Sequence, residues 1–207
     1  MSEPKNPPPI LIADHPALDF LNSVGAPHGT QIEWISDGTA LLSWMTAAGL
    51  LSEAEASGIA ERTSPNDLDE TAAHARELRE WFRDLIVRQD GLSGWQLAPD
   101  EIDLIGRILS KGTYRFQLQP GDPDEAQLQL SSGYETTKAE DLLVPIAHQI
   151  AALLSETDCR LTRNCGGPTC TFWFSDITKN KKRRWCDMKI CGNRAKTAAF
   201  RERKKQA

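Results

Sequence analysis

Four cysteines in the last quarter of the chain set the tightest constraint on what it can fold into. Cys165-Gly-Gly-Pro-Thr-Cys170 and Cys186-Asp-Met-Lys-Ile-Cys191 are two C-x4-C pairs separated by fifteen residues. Thiolates grouped in this way can meet one tetrahedral ion, with Zn–S near ~2.3 Å. Gly166, Gly167 and Pro168 permit the tight knuckle that turns the first two sulfurs toward one point. About fifty residues with few aliphatics cannot build a core against chain entropy, and a structural Zn2+ can supply the difference. Ordinary buried cysteines and a redox dithiol are the other readings, although C-x-x-C is the usual redox spacing. Cys159 stands outside the pairs and reads as a small buried residue, or as a substitute ligand.

The same segment is set apart by charge. The 207 residues carry a formal −5. Residues 1–158 account for −16 and residues 159–207 for +11, the latter holding 14 Lys+Arg against Asp176, Asp187 and Glu202. A compact metal module with that excess suits phosphate contacts, in which counterion release supplies affinity. A zinc centre with four thiolates is itself net negative, so Arg184 and Lys189 could instead neutralise it. Docking of the basic segment on the acidic one is the further alternative. Phe172-Trp-Phe174 and Arg183-Arg-Trp185 flank a turn-like Thr178-Lys-Asn-Lys, which predicts a hairpin between them. Gly192-Asn193 then predicts a helix start with Asn193 as its cap, running through Ala198 toward Lys205. Knuckle, hairpin and helix make a treble-clef-like, four-cysteine zinc finger over 158–207.

Residues 1–9 are Pro-rich and read as a disordered or extended tail. Over 10–157 helical signals dominate. Gly49 sits where a C-cap glycine belongs after Gly38–Ala48, Ser52-Glu-Ala-Glu55 is a capping box, and Ser64-Pro65 opens a long helix. Its apolar face is Leu68, Ala72, Ala75, Leu78, Phe82, Leu85 and Ile86. Pro99–Leu109 reads as another helix. Tyr114–Gln119 and Ala126–Ser131 alternate around Pro120-Gly-Asp-Pro-Asp, which predicts a hairpin with one buried face. Thr137-Lys-Ala-Glu140 predicts a last helix to about Glu156, kinked at Pro145. The fold class expected is mainly α with this one small β-hairpin, followed by the finger.

Catalytic signals are sparse. His15, His28, His74 and His148 are scattered, with His74 and His148 expected to be structural. Asp14-His15-Pro-Ala-Leu-Asp19 places two carboxylates near a histidine, and Trp34, Trp44, Trp81 and Trp95 read as core. Phosphate-loop, dinucleotide and nucleophile-elbow motifs are absent. Neither a membrane-length apolar run nor a secretory leader is visible, so a cytoplasmic protein is expected.

The run Arg183-Arg-Trp-Cys186-Asp-Met-Lys-Ile-Cys191-Gly-Asn-Arg194-Ala-Lys196 resembles the signature of the CGNR zinc-finger family, as do Phe172–Asp176 and the pair Cys165/Cys170. His15-Pro-Ala-Leu-Asp-Phe-Leu-Asn22 and Trp44–Leu50 resemble the ABATE-type domain that usually precedes that finger. The resemblance implies stress-induced transcription regulation, with Cys165, Cys170, Cys186 and Cys191 holding zinc and the finger binding DNA. The resulting expectation is a non-enzymatic regulator contacting nucleic acid through Lys182, Arg183, Arg184, Arg194, Lys196 and Arg201. The N-terminal part would sense a small-molecule effector or mediate assembly, including a homodimer. A protein-interaction module and a thiol enzyme are the rival classes.

Overall fold

The computed structural model describes residues 7–89, 91–121 and 128–206. Of the expected features, residues 1–6 of the tail, Asp122–Asp124 of the turn and strand residues Ala126 and Gln127 lie outside the described residues. A short helix α1 (Pro16–Leu21) lies at the centre, with Ala17, Leu18, Phe20 and Leu21 fully or almost fully buried. His15 Nδ1 caps it by accepting the Ala17 N–H at 3.2 Å, and Pro16 occupies the first turn, where no donor is needed. Around α1 pack α2 (Gly38–Ala47), α4 (Pro65–Arg88) and α6 (Leu143–Glu156), with α3 (Glu53–Arg62) and α5 (Pro99–Leu109) outside them. Phe20 meets Trp44 of α2 edge-on, with ring centroids 5.7 Å apart.

The capping chemistry determines the ends of these helices. Ser52 and Glu55 form the reciprocal box of α3, the Ser52 N–H donating to Glu55 Oε2 at 2.7 Å. Ser64 Oγ accepts the Asp67 N–H ahead of Pro65 in α4. Gly49 takes φ +70° just after α2, a conformation costly for a residue with a Cβ. The apolar stripe predicted for α4 is the buried one, joined by Thr71 and by Arg79. Arg79 is 3 % exposed and forks onto Glu33, with Nη1 to Oε1 at 2.8 Å and Nη2 to Oε2 at 2.6 Å.

Three antiparallel ribbons occur among the described residues: β1 (Val24–Gly25) with β2 (Ile32–Glu33), β3 (Tyr114–Pro120) with β4 (Leu128–Tyr134), and β5 (Thr162–Asn164) with β6 (Trp173–Ser175). Several expectations are corrected here. The β3–β4 hairpin forms in the expected place, but its apolar face is exposed, with Phe116 at 70 % and Leu130 at 65 %. The last helix begins at Leu143, after a 3-10 turn at Ala139–Leu142, so Pro145 lies in its first turn and removes no ladder bond. The turn is held by Asp141, which accepts the N–H groups of Thr137 and Lys138, rather than by Glu140. His74 and His148 are exposed, because each falls on the outer side of its helix. Pro7 is not free: its carbonyl accepts the Trp34 indole N–H at 2.8 Å.

The hydrophobic core continues across residue 158. It runs from α1, α2, α4 and α6 into Phe172, Trp173, Phe174 and the four paired cysteines. Phe172, Trp173 and Phe174 thus belong to a core shared with the helical part rather than to one private to the finger.

Candidate metal centre

The first cysteine pair sits in the loop between β5 and β6. Strand β5 delivers Cys165, the Gly166–Thr169 knuckle turns the chain, and Cys170 follows just before β6. The loop is fixed by backbone bonds: Cys165 N–H to Phe172 O at 2.8 Å, Gly166 N–H to Arg184 O at 2.8 Å and Cys170 N–H to Gly167 O at 3.2 Å. The expected pairing of 172–174 with 183–185 does not form. The partner of Trp173–Ser175 is 162–164, and 183–185 reaches the knuckle through the Gly166–Arg184 bond.

The second pair is built on a helical turn. Asp187 Oδ1 accepts the N–H groups of Lys189 at 2.6 Å and Ile190 at 2.9 Å, and Asp187 O accepts those of Cys191 and Gly192. This π-type turn, Met188–Gly192, runs into α7 (Asn193–Gln206), so Asp187 is the cap and Asn193 is already helical. The wide turn lets cysteines five positions apart face one point. Gly192 is closely packed there: a Cβ would lie 2.6 Å from Met188 Sδ and 3.1 Å from Trp185 Cδ1, so a larger residue has to displace the Met188 side chain.

All four sulfurs are buried and lie within 4.8 Å of one another. Cys170 and Cys186 Sγ are 3.8 Å apart, and Cys186 and Cys191 Sγ are 3.6 Å apart. A tetrahedron of ligands at ~2.3 Å has edges of about 3.8 Å. The donor set is therefore sized for one zinc ion, and the centre is a closed structural site with no sulfur left over for chemistry. Electrostatics agree. Hydrogen bonds from Cys170 and Cys186 pull Cys165 down to about 2, while the Cys165 thiolate pushes Cys170 up to about 12 and raises Cys186 as well. Cys165, Cys170 and Cys186 do not ionise together unaided, and a divalent cation at the centre removes that conflict. Zinc bound here would supply a fold-fixing set of four Zn–S bonds.

The surrounding shell holds the ligands in place. The Cys186 N–H donates to Cys165 Sγ at 3.2 Å, and Arg194 Nη2 donates to Cys191 Sγ at 3.2 Å. Arg194 also binds Ile190 O at 2.7 Å and the Pro27 carbonyl, so one side chain ties the zinc turn to the β1–β2 loop. Arg183 lies 4.4 Å over the Phe174 ring, donates through Nε to Trp185 O at 2.9 Å, and pairs with Asp14 and the Cys186 carbonyl. Both arginines, expected at nucleic acid, are thus occupied within the protein. Lys182, Arg184, Lys196 and Arg201 are exposed, Arg184 stacking 5.0 Å from the Trp185 ring. Cys159 is buried apart from the cluster, with Sγ 3.5 Å from Leu92 O.

Two residues that fix the finger in place were not singled out for this role by the sequence reading. Asp176, fully buried, accepts the Arg183 N–H at 2.9 Å and the Thr178 hydroxyl, with Arg163 Nη1 at 3.5 Å. Burial, the largest influence, pushes its carboxyl up, but those donors together hold it below the usual range. Asn22 closes the free edge of β6, giving its amide to Trp173 O at 2.8 Å and accepting the Trp173 N–H at 2.9 Å. An amide near a histidine carries no sequence signal for such a long-range bond, although Asp-x-Thr at 176–178 is a recognisable turn.

Fold and site define a zinc-finger protein whose four-cysteine module is embedded in a mainly helical domain. The chain belongs to the ABATE family: the model of that family, described as "Putative stress-induced transcription regulator", matches residues 14–157, and a model described as "CGNR zinc finger" matches residues 160–204. A search of curated proteins returned no match to the chain. Cys191-Gly-Asn-Arg194, the letters of the finger's name, are a ligand, a close-packed glycine, a helix residue and the clamp on the ligand. Among the described residues no helix is long and apolar enough to cross a membrane.

Proposed function

We propose that the chain is a nucleic-acid-binding regulator whose zinc centre makes a cationic surface rigid. The observation that carries this reading is how the finger distributes its charge. Asp176 is buried and Asp187 is consumed in capping the zinc turn, whereas Lys179, Lys182, Arg184, Lys189, Lys196, Arg201, Arg203 and Lys204 are exposed. Two of the three carboxylates serve the fold, Glu202 being exposed among those eight exposed cations, and that imbalance is the footprint of a phosphate-binding face. Lys182, Arg184, Lys196 and Arg201 are the contacts assigned; Arg183, half-buried, and Arg194, exposed but bonded to the zinc turn, hold that face in place. The N-terminal part has the regulatory role, and a cavity of about 410 Å³ between Trp95 and Cys159 is the place for an effector. Thr162, whose buried hydroxyl has no partner, lines it beside Trp95, Ile86 and Leu92, so a small ligand with an apolar body and one hydrogen-bonding group fits it best. No catalytic step is assigned to any residue.

The test is binding to duplex DNA across a salt series. With about six phosphates contacted, log affinity should fall against log salt with a slope near −5. Replacing Lys182, Arg184, Lys196 and Arg201 together should remove most of that slope while zinc content stays stoichiometric. A flat salt dependence, or binding to acidic proteins that survives excess nonspecific DNA, would overturn the proposal in favour of a protein-interaction module. Selection from random duplexes then reads whether bases are distinguished.

A further inference from the structure

In the β3–β4 ribbon, residues opposite one another share a face: Tyr114 with Tyr134, Phe116 with Ser132, Leu118 with Leu130, and Pro120 with Leu128. The face they make is uncharged and open to solvent, with Tyr114 48 %, Phe116 70 %, Leu118 62 %, Leu128 69 % and Leu130 65 % exposed. The opposite face carries Arg115, Gln117, Gln129 and Ser131. The apolar alternation of the two strands is therefore present in full, but nothing within the described residues covers it. Two-stranded ribbons are marginal in water unless a face is packed. This one is anchored at its base, where Tyr134 meets His148 edge-on and Gly112 abuts Val144, while its outer half projects.

We propose that this face is the interface of a homodimer, in which two β3–β4 ribbons pack face to face about a twofold axis. Three observations select a second copy as the occupant. The face has no charge, so a phosphate backbone or an acidic surface gains nothing there. At ~200 Å² per large apolar side chain, its five exposed members present roughly 600 Å². Two copies would then bury about 1,200 Å², at the lower edge of what stable, specific complexes use. Leu118 and Leu130 lie side by side as an inner pair of the apolar face, between Phe116 and Leu128, where a twofold axis matches the patch to itself, as an isologous interface requires. The inference stands apart from the nucleic-acid reading, because its test contains no nucleic acid.

The test is sedimentation equilibrium of the full-length, zinc-loaded protein over a micromolar concentration range. Wild type should sediment at twice the chain mass. Leu118→Glu with Leu130→Glu should weaken dimerisation by at least about a hundredfold, with far-UV circular dichroism and zinc stoichiometry unchanged. Gln117→Glu with Gln129→Glu, on the opposite face, should leave the dimer intact and so shows that an effect belongs to the apolar face rather than to the ribbon's folding. A monomeric wild type, a dimer indifferent to the leucine pair, or equal loss with both variants would overturn the proposal.

Discussion

Asp19 and Asp176 are both carboxylates hydrogen-bonded inside the protein, yet the fold treats them in opposite ways. Burial pushes Asp19 up to about 6, only partly offset by the N–H groups of Ala13 and Ile12. A raised pKa means that the folded state favours the protonated acid. The stabilisation is complete below about pH 4, where the unfolded chain is protonated too, and is lost as pH rises through 6. Urea unfolding should therefore show wild type gaining about 1 kcal/mol from pH 7 to pH 5 relative to Asp19→Asn, which cannot titrate. Asp176 has the reverse sign: its stabilisation is present above the ordinary carboxylate range and is lost toward acid. Asp176→Ala leaves the Arg183 N–H and the Arg163 guanidinium without their buried acceptor and should cost about 3 kcal/mol at neutral pH, read as a lower urea midpoint. Asp19 illustrates what sequence alone withholds. Two carboxylates beside His15 looked like a weak catalytic group, whereas the histidine is a helix cap and Asp19 a partly buried acceptor, distinctions that depend on burial.

At the scale of elements, the zinc turn and its clamp act as one unit. Arg194→Lys keeps the charge but cannot reach Pro27 O, Ile190 O and Cys191 Sγ together. Transfer of zinc to a competing chelator should be about tenfold faster in that variant, with stoichiometry unchanged at the start. Thiol titration of the native zinc protein should find at most one reacting group, Cys159, and chelation should release four more; four fast thiols in the presence of zinc would refute the closed site. The helices were legible because caps and periodicity are local. The ligand set was legible because the spacing of four thiols has few other uses. The strand pairing of the finger was not, because Trp173–Ser175 could alternate against either neighbour. The choice of 162–164 was made by contacts from Asn22 and Ala13, more than 130 residues away in the chain. Alternation also marked one face of the β3–β4 hairpin as buried, but periodicity cannot say which molecule buries it.

For the molecule as a whole, the question is whether the acidic helical part and the basic finger behave as two bodies, as their charges suggest. Contacts argue for one cooperative unit. Asn22 and Ala13 complete the edge of β6, Arg183 pairs with Asp14, Arg194 reaches Pro27, and Trp34 packs 6.4 Å from Phe172. The charges mostly face solvent while the apolar residues are shared, so removing the ion damages the core of both parts. Without zinc, the pocket holds sulfurs that cannot all ionise, and the knuckle, the Asp187 turn and the edge contacts of β6 lose their common support. Chelation should therefore lower the midpoint of a single thermal transition followed by far-UV circular dichroism and by tryptophan fluorescence together, since tryptophans lie on both sides of residue 158. A tail that unfolds on chelation while the helical signal melts at its original temperature would instead show that the shared core contributes little. Asn22→Ala separates the two cases: with zinc bound it should lower the same midpoint, because the break lies in the joint and not in either part.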